Sequence, residues 1–194
     1  MIIKRSHPKL KLLVPVLSII LLVVVFFVLP KRTDNQLFDD PNFGLVFSYS
    51  TDLEQTKLTE QDHKGSIFLR LQPNSSLAAN LLVTARAESG LAKVSAVTKQ
   101  TPLEIIASNI ERTYPSRFSG WQLQTERTFD ISGRPAKEII FSYNGPAEPI
   151  TQRFLVIIKN DDSAIFLSAQ APTAQYGAVN QAYFESIFDS VSIE

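Results

Sequence analysis

Residues 150–159 read Ile-Thr-Gln-Arg-Phe-Leu-Val-Ile-Ile-Lys, and Phe154-Leu155-Val156-Ile157-Ile158 is apolar at every position. Successive side chains of a strand point to opposite faces, so a strand apolar on both faces sits in the middle of a sheet with cover on each side. Working outward, Asn160-Asp161-Asp162-Ser163 has the Asx chemistry of a hairpin turn and leads to a second strand, Ala164–Ala171. Upstream, Trp121–Thr128 and Ala136–Tyr143 are two further strands joined through Ile131-Ser132-Gly133-Arg134-Pro135. Three more precede them. Leu45, Phe47 and Tyr49 alternate with Val46 and Ser48; Ile67, Leu69 and Leu71 with Phe68 and Arg70; Leu81, Val83 and Ala85 with Leu82, Thr84 and Arg86. A period of two predicts strands with one face in a core.

Two helices are expected to supply the cover. Leu103, Ile106, Ala107, Ile110 and Tyr114 form one helical stripe, opened by the capping-box pair Thr101 and Glu104 with Pro102 at the first helical position. Pro115 disfavours helical geometry at Tyr114 and is expected to end the element there. Tyr176, Val179, Tyr183, Phe184 and Ile187 repeat at the same spacing near the C-terminus, with Thr173 as N-cap. The expected class is α+β: an antiparallel sheet of six to seven strands covered by helices on both faces, an α/β/α sandwich over residues 43–194.

Ahead of this domain, residues 12–30 carry no charge over 19 positions. As a helix they reach roughly 28 Å, close to the hydrocarbon thickness of a bilayer. A cleaved signal peptide would have a shorter apolar core and a small-x-small site, whereas this run ends Val28-Leu29-Pro30-Lys31-Arg32. The expectation is an uncleaved transmembrane helix. Lys4, Arg5, Lys9 and Lys11 precede it and only Lys31 and Arg32 follow, so the positive-inside rule puts residues 1–11 in the cytoplasm and the globular domain outside. Residues 31–42 read as a short polar tether, with Asp39 and Asp40 solvated in it.

Residues 34–194 carry 13 basic and 19 acidic residues, a net of −6. That balance argues against nucleic acid, whose recognition needs clustered cations. The chain has no cysteine, which excludes thiol nucleophiles, thiolate metal sites, disulfides and a lipidated cysteine.

The order of elements resembles the PsbP-like fold, the family of extrinsic oxygen-evolving-complex proteins and their bacterial relatives. The resemblance rests on Phe43-Gly44-Leu45-Val46-Phe47-Ser48-Tyr49 as opening strand, a helix after Thr101-Pro102, Gly133-Arg134-Pro135-Ala136 entering a strand, and Tyr183-Phe184-Glu185-Ser186-Ile187-Phe188 closing the last helix. It covers most of residues 40–194. It implies an accessory or binding role, with metal or protein contacts in some members. No metal ligand of the family can be placed on these residues, and the membrane anchor sets the chain apart from the photosynthetic members.

Few residues invite chemistry. His63 is the single histidine after the apolar segment, within Asp62-His63-Lys64, and a solvated loop histidine competes with a general base or metal ligand. Ser66 and Ser168 would complete a hydrolase with His63, yet no G-x-S-x-G elbow is present. Asp161 and Asp162 fit a turn better than a calcium loop, which needs a spaced acidic pattern. Trp121, with Phe118 before it, marks either an interaction surface or the edge of a core. Asn74-Ser75-Ser76 matches a glycosylation sequon. No catalytic residue, cofactor or metal is assigned. The function expected is a membrane-anchored, non-catalytic binding or assembly module, meeting the bilayer through residues 12–30 and another membrane or extracytoplasmic protein through the domain. A small-ligand or metal carrier, with a pocket between the sheet and the helix at 102–114, and a hydrolase using His63 remain as alternatives.

Overall fold

The computed structural model describes residues 34–74 and 81–194. Residues 1–11 and the apolar segment 12–30 lie outside them. Among the described residues, no helix is long and apolar enough to cross a membrane.

The chain begins with β1 (Asn35–Asp40), β2 (Leu45–Ser50) and β3 (Leu53–Gln55). A short helix α1 (Glu60–Lys64) leads to β4 (Ile67–Pro73) and β5 (Leu82–Ser89). Helices α2 (Leu91–Thr98) and α3 (Pro102–Arg117) follow, then the strands β6 (Gln122–Ile131), β7 (Arg134–Asn144), β8 (Pro149–Asn160) and β9 (Ser163–Pro172). The chain closes with α4 (Tyr176–Val179), a π-helical turn (Asn180–Phe184), α5 (Glu185–Ser190) and β10 (Ser192–Ile193). Seven strands form one antiparallel sheet in the order β3-β4-β5-β9-β8-β7-β6, and β1, β2 and β10 form a second, small one.

The run apolar on both faces is β8, flanked by β7 and β9, and all five of its apolar residues are buried. Leu155 and Ile157 join Leu69, Leu71, Val83, Ile165 and Leu167 on one face of the large sheet, against Phe47 of the small sheet and Phe184, Ile187 and Phe188 near the C-terminus. Phe154, Val156 and Ile158 point to the other face, where Ile139, Phe141 and Phe166 meet Ile106 and Ile110 of α3.

Several expectations change. The stretch 31–42 is not a tether throughout, because Asn35–Asp40 pairs with Leu45–Ser50 and buries Phe38. One buried apolar residue suffices for a strand when a partner strand takes its hydrogen bonds. The strand at Leu45–Tyr49 belongs to the small sheet, so the seventh place in the large one is taken by the three-residue β3. Helix α3 runs past Pro115 to Arg117: Tyr114 stays helical, and its carbonyl accepts from the Phe118 N–H at 2.9 Å. The hydroxyls of Thr113 and Ser116 bond to carbonyls within the same turns, and the Tyr114 and Phe118 rings are anchored in the core. The last helix begins after Gln175 rather than Thr173, whose hydroxyl lies 3.0 Å from that of Thr151. It is also broken by the π turn, which the periodicity does not reveal.

Cover on the α3 face is incomplete. Helix α3 packs on β7 and β8. A helix about 10 Å wide spans roughly two strands spaced near 4.8 Å apart. On that face Leu82, Thr84 and Arg86 of β5, paired with Gln170, Ser168 and Phe166 of β9, are left half-buried apart from Phe166.

Candidate functional site

The uncovered part of the sheet face opens into a cleft of about 470 Å³ walled by α2, α3 and the C-terminal half of β5. Arg86 rises from its floor. Its guanidinium lies 3.9 Å above the Phe166 ring and 3.2 Å from a Glu88 carboxylate oxygen. The α3 wall contributes Arg112 and Arg117, both exposed. Arg112 donates to the Asn109 side chain at 3.4 Å, and Arg117 lies 5.7 Å from the Phe118 ring. Among the described residues neither has a carboxylate partner. Tyr114 sits between the walls, edge-on to Phe118, Phe141 and Phe154 at 5.2, 5.5 and 6.1 Å. Burial pushes its hydroxyl pKa up, against the pull of Arg86 and Arg117, so it is a neutral donor near pH 7.

Helix α2 closes one end of the cleft. Gly90, at φ +89°, turns the chain out of β5, a conformation that costs any side chain with a Cβ. Asp162 then accepts the N–H groups of Leu91 and Ala92 at 3.1 Å through its carbonyl and carboxylate. Only Leu91 of this helix is buried, while Val94 and Val97 are 43% and 82% exposed. Its apolar residues make no buried stripe and its N-cap, Gly90, has no side chain, the Asp162 bond coming from far along the chain, so it left little trace in the sequence.

The sequence candidates lie elsewhere or do other work. His63 is exposed on α1 rather than in a loop, because Thr59 and Asp62 form a capping box. Asp62 is buried and bonded to Arg70; that bond, with those from the Thr59 N–H and hydroxyl, holds its carboxyl well below the usual range. His63, Ser66 and Glu88 do line one shallow depression, but no hydrogen bond joins their side chains, and Glu88 is turned to Arg86. Ser168 is apart from them, 2.6 Å from the Gln152 amide. A hydrolytic triad is therefore not assembled. Asp161 lies in the β8–β9 turn, and Asp40 accepts the N–H groups of Asn42 and Phe43 at 2.9 and 3.3 Å. Among the described residues no group of three or more acidic or histidine side chains is placed to hold a metal.

Phe118 and Trp121 are half-buried beside Phe141, with ring centroids 5.7 and 6.3 Å from it. They close the aromatic end of the α3 core, and the Trp121 indole N–H is buried without a partner. They sit at the end of the sheet where Asn144 bonds to Ser119 and where Asp34, held by Thr51, brings the chain into the domain.

A second charged cluster lies on the opposite face. Glu138 accepts from Arg127 at 2.5 Å and from Arg153 at 2.6 Å. Arg153 also reaches the Asn180 amide oxygen at 3.2 Å and covers the Phe188 ring at 4.3 Å. The π turn starts at Asn180, so the widened turn is what presents that amide to Arg153. Tyr176 lies above the cluster, and burial pushes its pKa up to about 12.

No known family profile matches the sequence, and no curated protein is similar to it. Solved structures are. Cyanobacterial PsbP (CyanoP) from Synechocystis sp. PCC 6803 superposes with a TM-score of 0.61 at 9% identity, over 84% of this chain and 94% of that one. The fold is PsbP-like. LpqN, involved in cell envelope biogenesis of Mycobacterium tuberculosis, shares the PsbP-like arrangement with a TM-score of 0.55 at 12% identity, over 88% and 96% of the two chains. The Saccharomyces cerevisiae Ran-binding protein MOG1P gives 0.52 at 10%, over 84% and 96%. The segments that carried the sequence resemblance fall on β2, the start of α3, the turn into β7, and the π turn with α5. At such identities the likeness fixes the fold and carries no residue role across.

Proposed function

We propose that this PsbP-like chain is a membrane-anchored, non-catalytic accessory module that works on the outer side of the membrane and binds through the cleft beside α3. The observation that carries the reading is that cleft: its volume is within the roughly 300–1,000 Å³ usual for small-ligand sites, and among the described residues two of its arginines, Arg112 and Arg117, have no carboxylate partner. It lies where the carrier alternative puts a pocket, so that alternative names what the module holds rather than a different kind of protein. The anchor is the apolar segment 12–30. Another membrane or envelope protein is the favoured neighbour, since anchoring raises the effective concentration between them.

The test has two parts. Protease added to intact cells with a permeable outer barrier should degrade the domain; protection until lysis would reverse the topology. A photo-crosslinker at Ser108, on the rim of the cleft, should trap one protein reproducibly, while the same group at Thr128 on exposed β6 should not. Equal trapping from both sites, or none from Ser108, would move binding away from the cleft.

A further inference from the structure

From the cleft's own chemistry we infer the class of its occupant: a small organic anion whose carboxylate or phosphate is held by Arg112 and Arg117, with its body against Val94, Leu91 and the Arg86–Phe166 stack. The inference rests on the cleft being the binding site proposed above.

Three observations converge on it. The domain is acidic overall, with a net of −6 over residues 34–194, so surface cations have carboxylates to pair with. Several do, Arg70 with Asp62, Arg127 and Arg153 with Glu138, Lys137 with Glu126, and Lys64 with Glu60, whereas among the described residues Lys57, Lys93, Lys99 and Arg134 form no ion pair and are not part of the cleft wall. Arg112 and Arg117 instead face a concavity, and guanidinium forks are the side chains best matched to carboxylate and phosphate. The Tyr114 hydroxyl, which is not among the buried unpaired groups, adds a neutral donor at the same wall. Glu88 sets a limit on the charge pattern. It neutralises part of Arg86 and would repel an anion on the β5 side, so the acidic group is placed toward α3 and the less polar body toward α2. Leu91, Val94 and Ile106 give that body apolar contact on the side away from the two free arginines.

Glycerol 3-phosphate and citrate serve as probes, glycerol as the uncharged control, and the full-length chain in neutral detergent as the receptor, at matched ionic strength. Calorimetric titration should show saturable binding of at least one anion and none of glycerol. Arg112→Gln with Arg117→Gln should weaken that binding about tenfold or more, which is about 1.4 kcal/mol or more, while Lys159→Gln, a cation bonded to the Phe43 carbonyl outside the cleft, should leave it unchanged. Absence of saturable binding by either probe, or equal binding by the double variant, overturns the inference. Vesicles containing phosphatidylglycerol separate the sources of the anion. Arginine-dependent binding to vesicles without binding of either free probe would assign the cleft to a lipid surface and also overturn it. If the Ser108 crosslink persists while both probes fail, the binding-module reading stands and the small-anion inference alone falls.

Discussion

The two arginine clusters of this domain sit on opposite faces of one sheet and differ in burial and in how far carboxylates answer their guanidiniums, since in the cleft only Arg86 is paired, with Glu88. Around Glu138 the charges are closed. The carboxylate is 4% exposed, bridges two arginines, and is roofed by the C-terminal helical segment through Asn180 and Phe188. In the α3 cleft the charges are open, and Arg112 and Arg117 face solvent. A closed cluster has already spent its electrostatic energy on the fold, because removing one member strands a buried ion. An open cluster costs the fold little and keeps its charge for something that arrives from outside.

That contrast can be broken at four points. The largest effect should come from Glu138→Ala, which leaves the buried Arg153 with only the exposed Asp189 carboxylate at 3.8 Å and should cost about 3–5 kcal/mol in urea unfolding. A loss near zero would mean that water or the C-terminal segment screens the cluster. Ile110→Ala, under α3, should cost about 2–5 kcal/mol, since Ile110 is 4% exposed in the second core. A loss under about 1 kcal/mol would detach α3 from the sheet and with it the wall of the cleft.

The third effect is a pH dependence. The bond from Arg70, then those from Thr59, keep the folded-state pKa of Asp62 below its unfolded value near 3.9. The folded state therefore gains from the ionised carboxylate above about pH 4, and loses that gain as pH falls toward the folded pKa. The stability gap between the wild-type chain and Asp62→Asn should be full at pH 7 and shrink below about pH 4. A gap that is constant with pH would mean that only the capping geometry matters. The smallest effect is expected at His63, where alanine should change stability by less than about 0.5 kcal/mol and leave binding intact. A strong functional loss there would revive the His63 hydrolase.

What could be read ahead of the structure follows how locally each feature is encoded. Strands β4 to β9 and helix α3 announce themselves by period and by the Thr101–Glu104 cap, because those signals sit within a dozen residues. Strand β1 does not, since only Phe38 of its six residues is buried and its stability comes from pairing with β2. The π turn is invisible to periodicity, and the Asn180 amide at its start meets Arg153, 27 positions away in the sequence. The cleft is equally hidden. Arg86, Arg112 and Arg117 have no spacing that marks a motif, and only the limited width of α3 over the sheet brings them to one opening. A usable clue was present in β5 and β9, where Thr84, Arg86, Ser168 and Gln170 put polar residues on a face that full helical cover would not tolerate.

The central claim is that Arg112 and Arg117 serve binding and not the fold. The most direct measurement takes the Arg112→Gln, Arg117→Gln double variant of the full-length chain and records its unfolding midpoint in urea and its Ser108 crosslink in cells side by side. The account predicts a stability within about 0.5 kcal/mol of the wild-type chain and a crosslink that is lost or sharply reduced. A variant that keeps the full crosslink, or that loses it only in proportion to a large loss of stability, would contradict the account.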